Sequence, residues 1–197
     1  MLSKQSNQQL RVVTIGDESV GKTSITSYLI DKTFNQYEPS TVGANYQMFT
    51  VKQPDDDIVL QIWDTAGQEK FKSLSPIYFR NANAAVVVFS LVNKNSYIKL
   101  NNWVTSFREV AGNDALVYVV ANKSDLQEEF EVSLLQAEEW ATNGGFKFYV
   151  TSAKTGQNIE KLFTDIAIDL KTANANANVL RQSRLKSEVN TDSSPCC

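Results

Sequence analysis

Leu10-Arg11-Val12-Val13-Thr14-Ile15-Gly16-Asp17-Glu18-Ser19-Val20-Gly21-Lys22-Thr23-Ser24 is the stretch that decides the fold. Its first six residues form a short, mostly apolar run ending at a glycine, which predicts a buried strand. Ile25, Tyr28 and Leu29 follow at helical spacing, so residues 16–23 join a strand to a helix N-terminus. The joint fits G-x-x-x-x-G-K-[ST], whose backbone N–H groups and helix dipole cradle phosphate. Lys22 carries the charge to neutralise β- and γ-oxygens, and the Thr23 hydroxyl is a hard ligand for Mg²⁺. Gly16, Glu18, Ser19, Val20, Gly21, Lys22, Thr23 and Ser24 are therefore the candidate phosphate-binding set. The bland alternative is a glycine turn that caps a helix. A lysine at so apolar-flanked a position argues against it.

Asn122-Lys123-Ser124-Asp125 closes a later apolar run over 116–121. The Asp125 carboxylate can accept from the two N–H groups on one edge of guanine, and adenine offers no matching pair of donors. The two stretches together imply a GTP-binding chain. They exclude an ATPase or kinase, for which the sequence also lacks a lid-like arginine cluster. Between them, Trp63-Asp64-Thr65-Ala66-Gly67-Gln68 follows another β-like run. A carboxylate at a strand end, Asp64, suits holding Mg²⁺ through a water. Gly67 lets its backbone approach a γ-phosphate closely, and Gln68 can orient a water for in-line attack. The same residues also read as a plain turn.

Strands are predicted over 10–15, 46–51, 58–63, 84–91, 116–121 and 146–150. Pro54-Asp55-Asp56-Asp57 makes a hairpin of the second and third. Residues 34–45, with Pro39, Ser40 and Gly43, and residues 64–77, with Gly67 and Pro76, read as loops. Leu100, Trp103, Val104, Phe107 and Val110 keep the spacing of one helical face. Leu134, Leu135, Glu138 and Trp140 belong to a further helix, closed by Gly144-Gly145. Ile159, Leu162, Phe163, Ile166, Ala167 and Leu170 make the last. Strands alternating with helices imply a single α/β domain, a mostly parallel six-stranded sheet with one antiparallel edge strand and helices on both faces. The domain is expected over 9–171, after a flexible 1–8. Ala173-Asn174-Ala175-Asn176-Ala177-Asn178 opens a low-complexity stretch, so 172–197 reads as a disordered tail.

The 197 residues carry a net charge of −3, unevenly spread. Residues 1–170 hold 15 basic against 20 acidic groups, and an acidic body argues against nucleic acid as a partner. The tail holds Lys171, Arg181, Arg184 and Lys186 against Glu188 and Asp192, a weak match to an anionic membrane surface. With no histidine, imidazole chemistry is excluded. The cysteines are Cys196 and Cys197, so the body has no disulfide framework and no thiolate metal site. That composition favours a reducing compartment. The apolar runs over 84–89 and 116–121 are far short of the roughly 18–20 residues of a membrane span. The first residues lack an apolar signal core, so a cytosolic chain is expected unless a lipid is attached.

Residues 8–170 resemble the Rab family of Ras-like small GTPases, a phosphate-loop GTPase fold. Trp63-Asp64-Thr65-Ala66-Gly67-Gln68-Glu69-Lys70-Phe71 is close to the family's switch II signature, and Tyr78-Phe79-Arg80 resembles the Tyr-Tyr-Arg that follows it. Thr41-Val42-Gly43-Ala44-Asn45-Tyr46 and Ser73-Leu74-Ser75-Pro76 look most like early-endosomal Rabs. The resemblance implies a GTP/GDP switch with Mg²⁺, working in vesicle trafficking. Thr41 is then the switch I threonine that meets Mg²⁺ and γ-phosphate, and Gln68, Lys22, Thr41 and Gly67 form the catalytic set. Phe34 matches the aromatic that packs on guanine, though core packing after a helix explains it equally well. Asn122, Lys123 and Asp125 hold the base, joined by Ser152, Ala153 and Lys154. Tyr46, Trp63 and Tyr78 match the aromatic trio that faces partners, while Trp63 reads equally as a core residue. The double-cysteine end resembles that of geranylgeranylated Rabs, and two chains are what stable anchoring needs. Exchange factors, activating proteins, effectors, prenylation escort proteins and GDP-dissociation inhibitors are the implied partners of a monomer on the cytoplasmic face of intracellular membranes.

Four positions depart from the family. Glu18 stands where Ras has glycine and many Rabs a small residue, which puts a negative charge near the γ-phosphate. A hydrolysis-deficient, GTP-locked module is therefore the rival reading. Val42 and Tyr46 replace the more usual Ile and Phe, and Ser90 stands where Rabs commonly have Asp. No arginine occurs between Gly16 and Gln68, so no arginine finger is available in cis and intrinsic hydrolysis is expected to be slow.

Overall fold

Strand β1 (Leu10–Ile15) is the apolar run before the phosphate loop, and helix α1 (Lys22–Asp31) starts at the loop's lysine. The computed structural model describes residues 10–54, 56–67 and 75–189. After α1 come β2 (Ala44–Val51), β3 (Ile58–Thr65), a short α2 (Ser75–Phe79) and β4 (Ala84–Ser90). Helices α3 (Lys94–Ile98) and α4 (Leu100–Ala111), β5 (Leu116–Asn122), α5 (Leu134–Asn143), β6 (Lys147–Val150) and α6 (Ile159–Val189) complete the order. Among the described residues the strands form one six-stranded sheet ordered β2-β3-β1-β4-β5-β6. β2 is antiparallel to β3, and the other pairs are parallel. The expected architecture is thus the observed one.

Successive side chains of a strand point to opposite faces, and here both faces are covered. Val12, Val86, Val88 and Val120 pack with α1 and α6, while Val13, Val87, Phe89 and Val119 pack with α4 and α5. That is why β4 and β5 read as unbroken apolar runs. All seven residues of β4 are buried. Ile159, Leu162, Phe163, Ile166, Ala167 and Leu170 line the core face of α6 as their spacing predicts.

Other details differ from expectation. β2 begins at Ala44 and β3 runs to Thr65, because the antiparallel ladder pairs Ala44 with Thr65 and extends to the edge of the site. In α5 the core face is carried by Ala137 and Ala141, while Leu135 is 64% exposed, since only small side chains fit between that helix and the sheet. Val110 of α4 is also exposed. The expected coil at 172–189 is instead the continuation of α6. No Gly or Pro occurs between Gly156 and Pro195, and alanine, leucine, arginine, glutamine and lysine are good helix formers. Among the described residues Leu170 is the last to enter the core cluster, and Thr172, Ala173 and Asn176 line a surface groove with Tyr118 and Lys147. Residues 1–8 and 190–197 of the expected flexible ends lie outside the described residues.

Phe163 is fully buried and meets Phe49 edge-on at 6.4 Å between ring centres. Phe163→Ala should cost about 3–5 kcal/mol of stability, and Leu135→Ala less than about 0.5 kcal/mol. Urea denaturation of the nucleotide-loaded chain checks both.

Candidate nucleotide and magnesium site

The carboxyl ends of β1, β3, β4 and β5 lie side by side, with Thr14 opposite Asp64 and Ser90 opposite Asn122. The chain goes from β1 toward β3 on one side and then to β4 on the other. The crevice above β1 is therefore a topological switch point, where open α/β sheets place ligands.

Lys22 is buried, and its ammonium donates to the carbonyls of Gly16 and Asp17 at 2.9 and 2.7 Å. Burial pulls its pKa down to about 8, against the attraction of Asp64, Asp17 and Glu18. An anion at the loop would favour the charged form. Gly67 lies beside it. A Cβ at 67 would collide with the Asp17 carbonyl and the Lys22 ammonium, so the cradle exists only because this residue is glycine. Glu18, Ser19, Gly21, Thr23, Ser24 and Thr41 share the same pocket wall. Gln68 lies outside the described residues.

Thr23 Oγ1 stands 2.7 Å from Thr41 Oγ1 and donates to Asp64 Oδ2 at 2.7 Å. Thr14 Oγ1 donates to the other carboxylate oxygen at 3.1 Å. Burial pushes the Asp64 pKa up, opposed by the Thr23 bond, the Lys22 charge and the bonds from Thr14 and Thr41. Hydroxyl and carboxylate oxygens are the donors Mg²⁺ prefers, and it usually takes few protein ligands beside phosphate and water. Thr23, Thr41 and Asp64 fit that demand. Among the described residues there is no cluster of three or more His, Cys, Asp or Glu that could hold a metal.

The phosphate pocket opens into a cavity of about 390 Å³ lined by Phe34, Asn122, Lys123, Asp125, Ala153 and Lys154. That volume is in the range of small-ligand sites. Asp125 Oδ1 accepts from Ser152 Oγ at 2.6 Å, which orients the carboxylate and leaves its other oxygen for a ligand. Asn122 lines the cavity and also braces it. Its amide donates to the Val20 carbonyl at 2.9 Å, and its oxygen accepts from Thr151 Oγ1 and the Ala153 N–H at 3.2 Å each. It ties the phosphate loop to the base loop, and it holds the very N–H expected to meet guanine. Lys123 sits at φ +68°, a strained conformation of the kind found at binding sites, and burial lowers its pKa. Phe34 is 40% exposed at the cavity wall rather than in the core.

The aromatic trio is contiguous. Tyr46 and Trp63 pair directly across β2 and β3 with ring centres 5.3 Å apart, and Trp63 lies 6.1 Å from Tyr78. Trp63 also packs partly against the core, as its core reading expects. Arg11, which sequence reasoning missed, stacks over Trp63 at 4.3 Å and donates to the Tyr78 carbonyl at 3.0 Å. Thr14 and Tyr28 were also missed. Each acts through a partner far away in sequence and carries no local signal.

Strand, loop, helix and base pocket together define a guanine-nucleotide-binding protein of the phosphate-loop class. A family model described as Ras family matches residues 11–172. The chain is 39% identical over 156 residues to Ras-related protein Rab-21 of Homo sapiens, covering 79% of this chain and 69% of that protein. The Rab-21 proteins of Bos taurus and Mus musculus match at the same identity, covering 70% of each. The chain belongs to the Ras family and, within it, to the Rab GTPases. It is a small GTPase that binds GTP and GDP with Mg²⁺, hydrolyses GTP, and acts as a switch in vesicle trafficking. As a Rab it works with exchange factors, activating proteins, effectors and GDP-dissociation inhibitors.

Tyr28 of α1 braces the base loop: its ring fills the space where a Cβ on Gly156 would stand, and Gly156 has φ +81°. Gly156→Ala should speed GDP release roughly tenfold, equivalent to about 1.4 kcal/mol. Adding Tyr28→Ala should restore part of the loss by removing the collision. Dissociation of a fluorescent GDP measures both.

Proposed function

We propose that this Rab is a switch of early-endosomal trafficking whose GTP-bound form is closed by Thr41. The observation that carries the reading is the meeting of Thr41, from the loop before β2, with Thr23 and Asp64 at the mouth of the phosphate loop. A loop that meets the metal-binding oxygens in one state and loses its phosphate contact in the other is a two-state element.

In this reading the loop amides of residues 16–23 hold the β-phosphate. Lys22 exchanges its contacts with the Gly16 and Asp17 carbonyls for β- and γ-oxygens. Thr23, Thr41 and, through water, Asp64 would hold Mg²⁺, which when bound would supply positive charge against the phosphates. The Gly67 N–H faces the γ-phosphate, and Gln68 orients the attacking water. Asp125, held by Ser152, reads the guanine edge, and the Ala153 N–H, shared with Asn122, meets its carbonyl. Phe34, Lys123 and Lys154 close the sides of the base pocket.

Tyr46, Trp63 and Tyr78 present the GTP-dependent partner surface, where large aromatics are natural anchors. Val42, 77% exposed beside them, bears on partner choice. Among the described residues no helix is long and apolar enough to cross a membrane. Cys196 and Cys197, outside the described residues, are the proposed prenylation sites, delivered by an escort protein to a monomer that cycles between cytosol and endosome. The likeness of Thr41–Tyr46 and Ser73–Pro76 to early-endosomal Rabs supports the organelle.

A GTP-locked module is not favoured, because Thr41 and Gln68 are both present and the relatives are Rabs. Glu18 is exposed on the rim of the phosphate pocket, so it acts as a brake rather than a block. Single-turnover GTP hydrolysis tests the whole reading. The wild-type rate should be slow without an activating protein. Gln68→Leu should lower it at least tenfold, and Glu18→Ser should raise it severalfold, the scale of about 1 kcal/mol of screened like-charge repulsion. Tight GTP binding with no turnover until Glu18 is replaced would overturn the working switch.

A further inference from the structure

The phosphate-loop motif leaves its second position open, and Asp17 occupies it. Its carboxylate points to α4. Oδ1 accepts from the Trp103 indole N–H at 2.8 Å, and Oδ2 accepts from the Lys99 ammonium at 2.7 Å. Lys99 precedes α4 and Trp103 lies one helical turn on, so both donors leave the same face. The Asp17 side chain is 12% exposed and the Trp103 residue 6%. Charge-assisted bonds of this sort are the strong ones. The same residue's backbone carbonyl accepts from Lys22 and lies against Gly67. Asp17 thus joins three parts of the molecule: helix α4, the phosphate lysine and the end of β3.

We propose that Asp17 is a positioning residue which, through Lys99 and Trp103, anchors the phosphate loop to α4 and sets the rate of nucleotide release. The loop needs an external anchor. Gly16, Ser19 and Gly21 all sit at positive φ, so the segment makes no regular ladder of its own. Its amides hold phosphate only while their directions are fixed. A freed Asp17 would let its carbonyl, Lys22 and the neighbouring amides shift together. The loss would appear in the off-rate, where changes of affinity among variants of one site are mostly found.

The inference rests on the nucleotide-switch reading above. The test loads the full chain with a fluorescent GDP and Mg²⁺ and chases it with excess GDP. Asp17→Ala should release nucleotide tenfold faster or more. Asp17→Asn, whose amide oxygen still accepts from Trp103, should fall between it and wild type. Lys99→Met should follow Asp17→Asn, and Lys99→Arg, which keeps the cation, should restore slow release. Asp17→Ala with Trp103→Phe should be no faster than Asp17→Ala alone, because one anchor cannot be lost twice. Should Asp17→Ala fail to fold, the Asn, Met and Arg variants carry the test. Asp17→Asn and Lys99→Met both within twofold of wild type would overturn the anchor, as would fully additive effects. A wild-type chain that does not retain GDP would overturn the switch reading itself.

Discussion

A lysine ammonium buried at the end of a parallel strand is the constraint around which this molecule is arranged. Lys22 loses most of its water, and among the described residues two loop carbonyls replace it. Burying a cation is costly unless it is paired. The compensation is a ring of partners from separate parts of the chain: the carboxylates of Asp64 and Asp17 and the pocket awaiting phosphate. The strand that delivers Asp64 must therefore lie beside β1, and it does. The glycine that follows must be small enough to pass the ammonium, and Gly67 is. A site poised in this way favours an anion because binding relieves a deficit already present.

The fold was legible because its signals are local. Strands β4 and β5 are buried on both faces, so they appear as uninterrupted apolar runs. Each helix that packs on the sheet shows its spacing, most clearly Ile159 to Leu170 in α6. Errors came where packing, not pattern, chose the residue. Ala137 and Ala141 face the core of α5 although Leu134 and Leu135 look the better candidates. Beyond Leu170 no apolar stripe announces a helix, but an absence of breakers lets one continue.

The site was legible where one residue type is chemically obligatory. A lysine and a threonine after the glycines, a carboxylate for the guanine edge and a glycine after the third strand are all of this kind. What stayed hidden are struts. Arg11 behind Trp63, Thr14 behind Asp64, Tyr28 behind Gly156 and Asn122 between two loops act on residues remote in sequence. Their identities satisfy neighbours rather than ligand, so no motif marks them. Asn122 is instructive: it belongs to a recognised motif, and its side chain also holds the two loops together.

The length of α6 also has a mechanical meaning. Past Leu170 the helix continues from Lys171 to Val189, about 28 Å at roughly 1.5 Å per residue. A helical spacer is far stiffer than a random coil of the same length. With lipids at the chain's end, as proposed, a helix of that length is a stiff spacer rather than a leash, and it limits how freely the body turns against the bilayer.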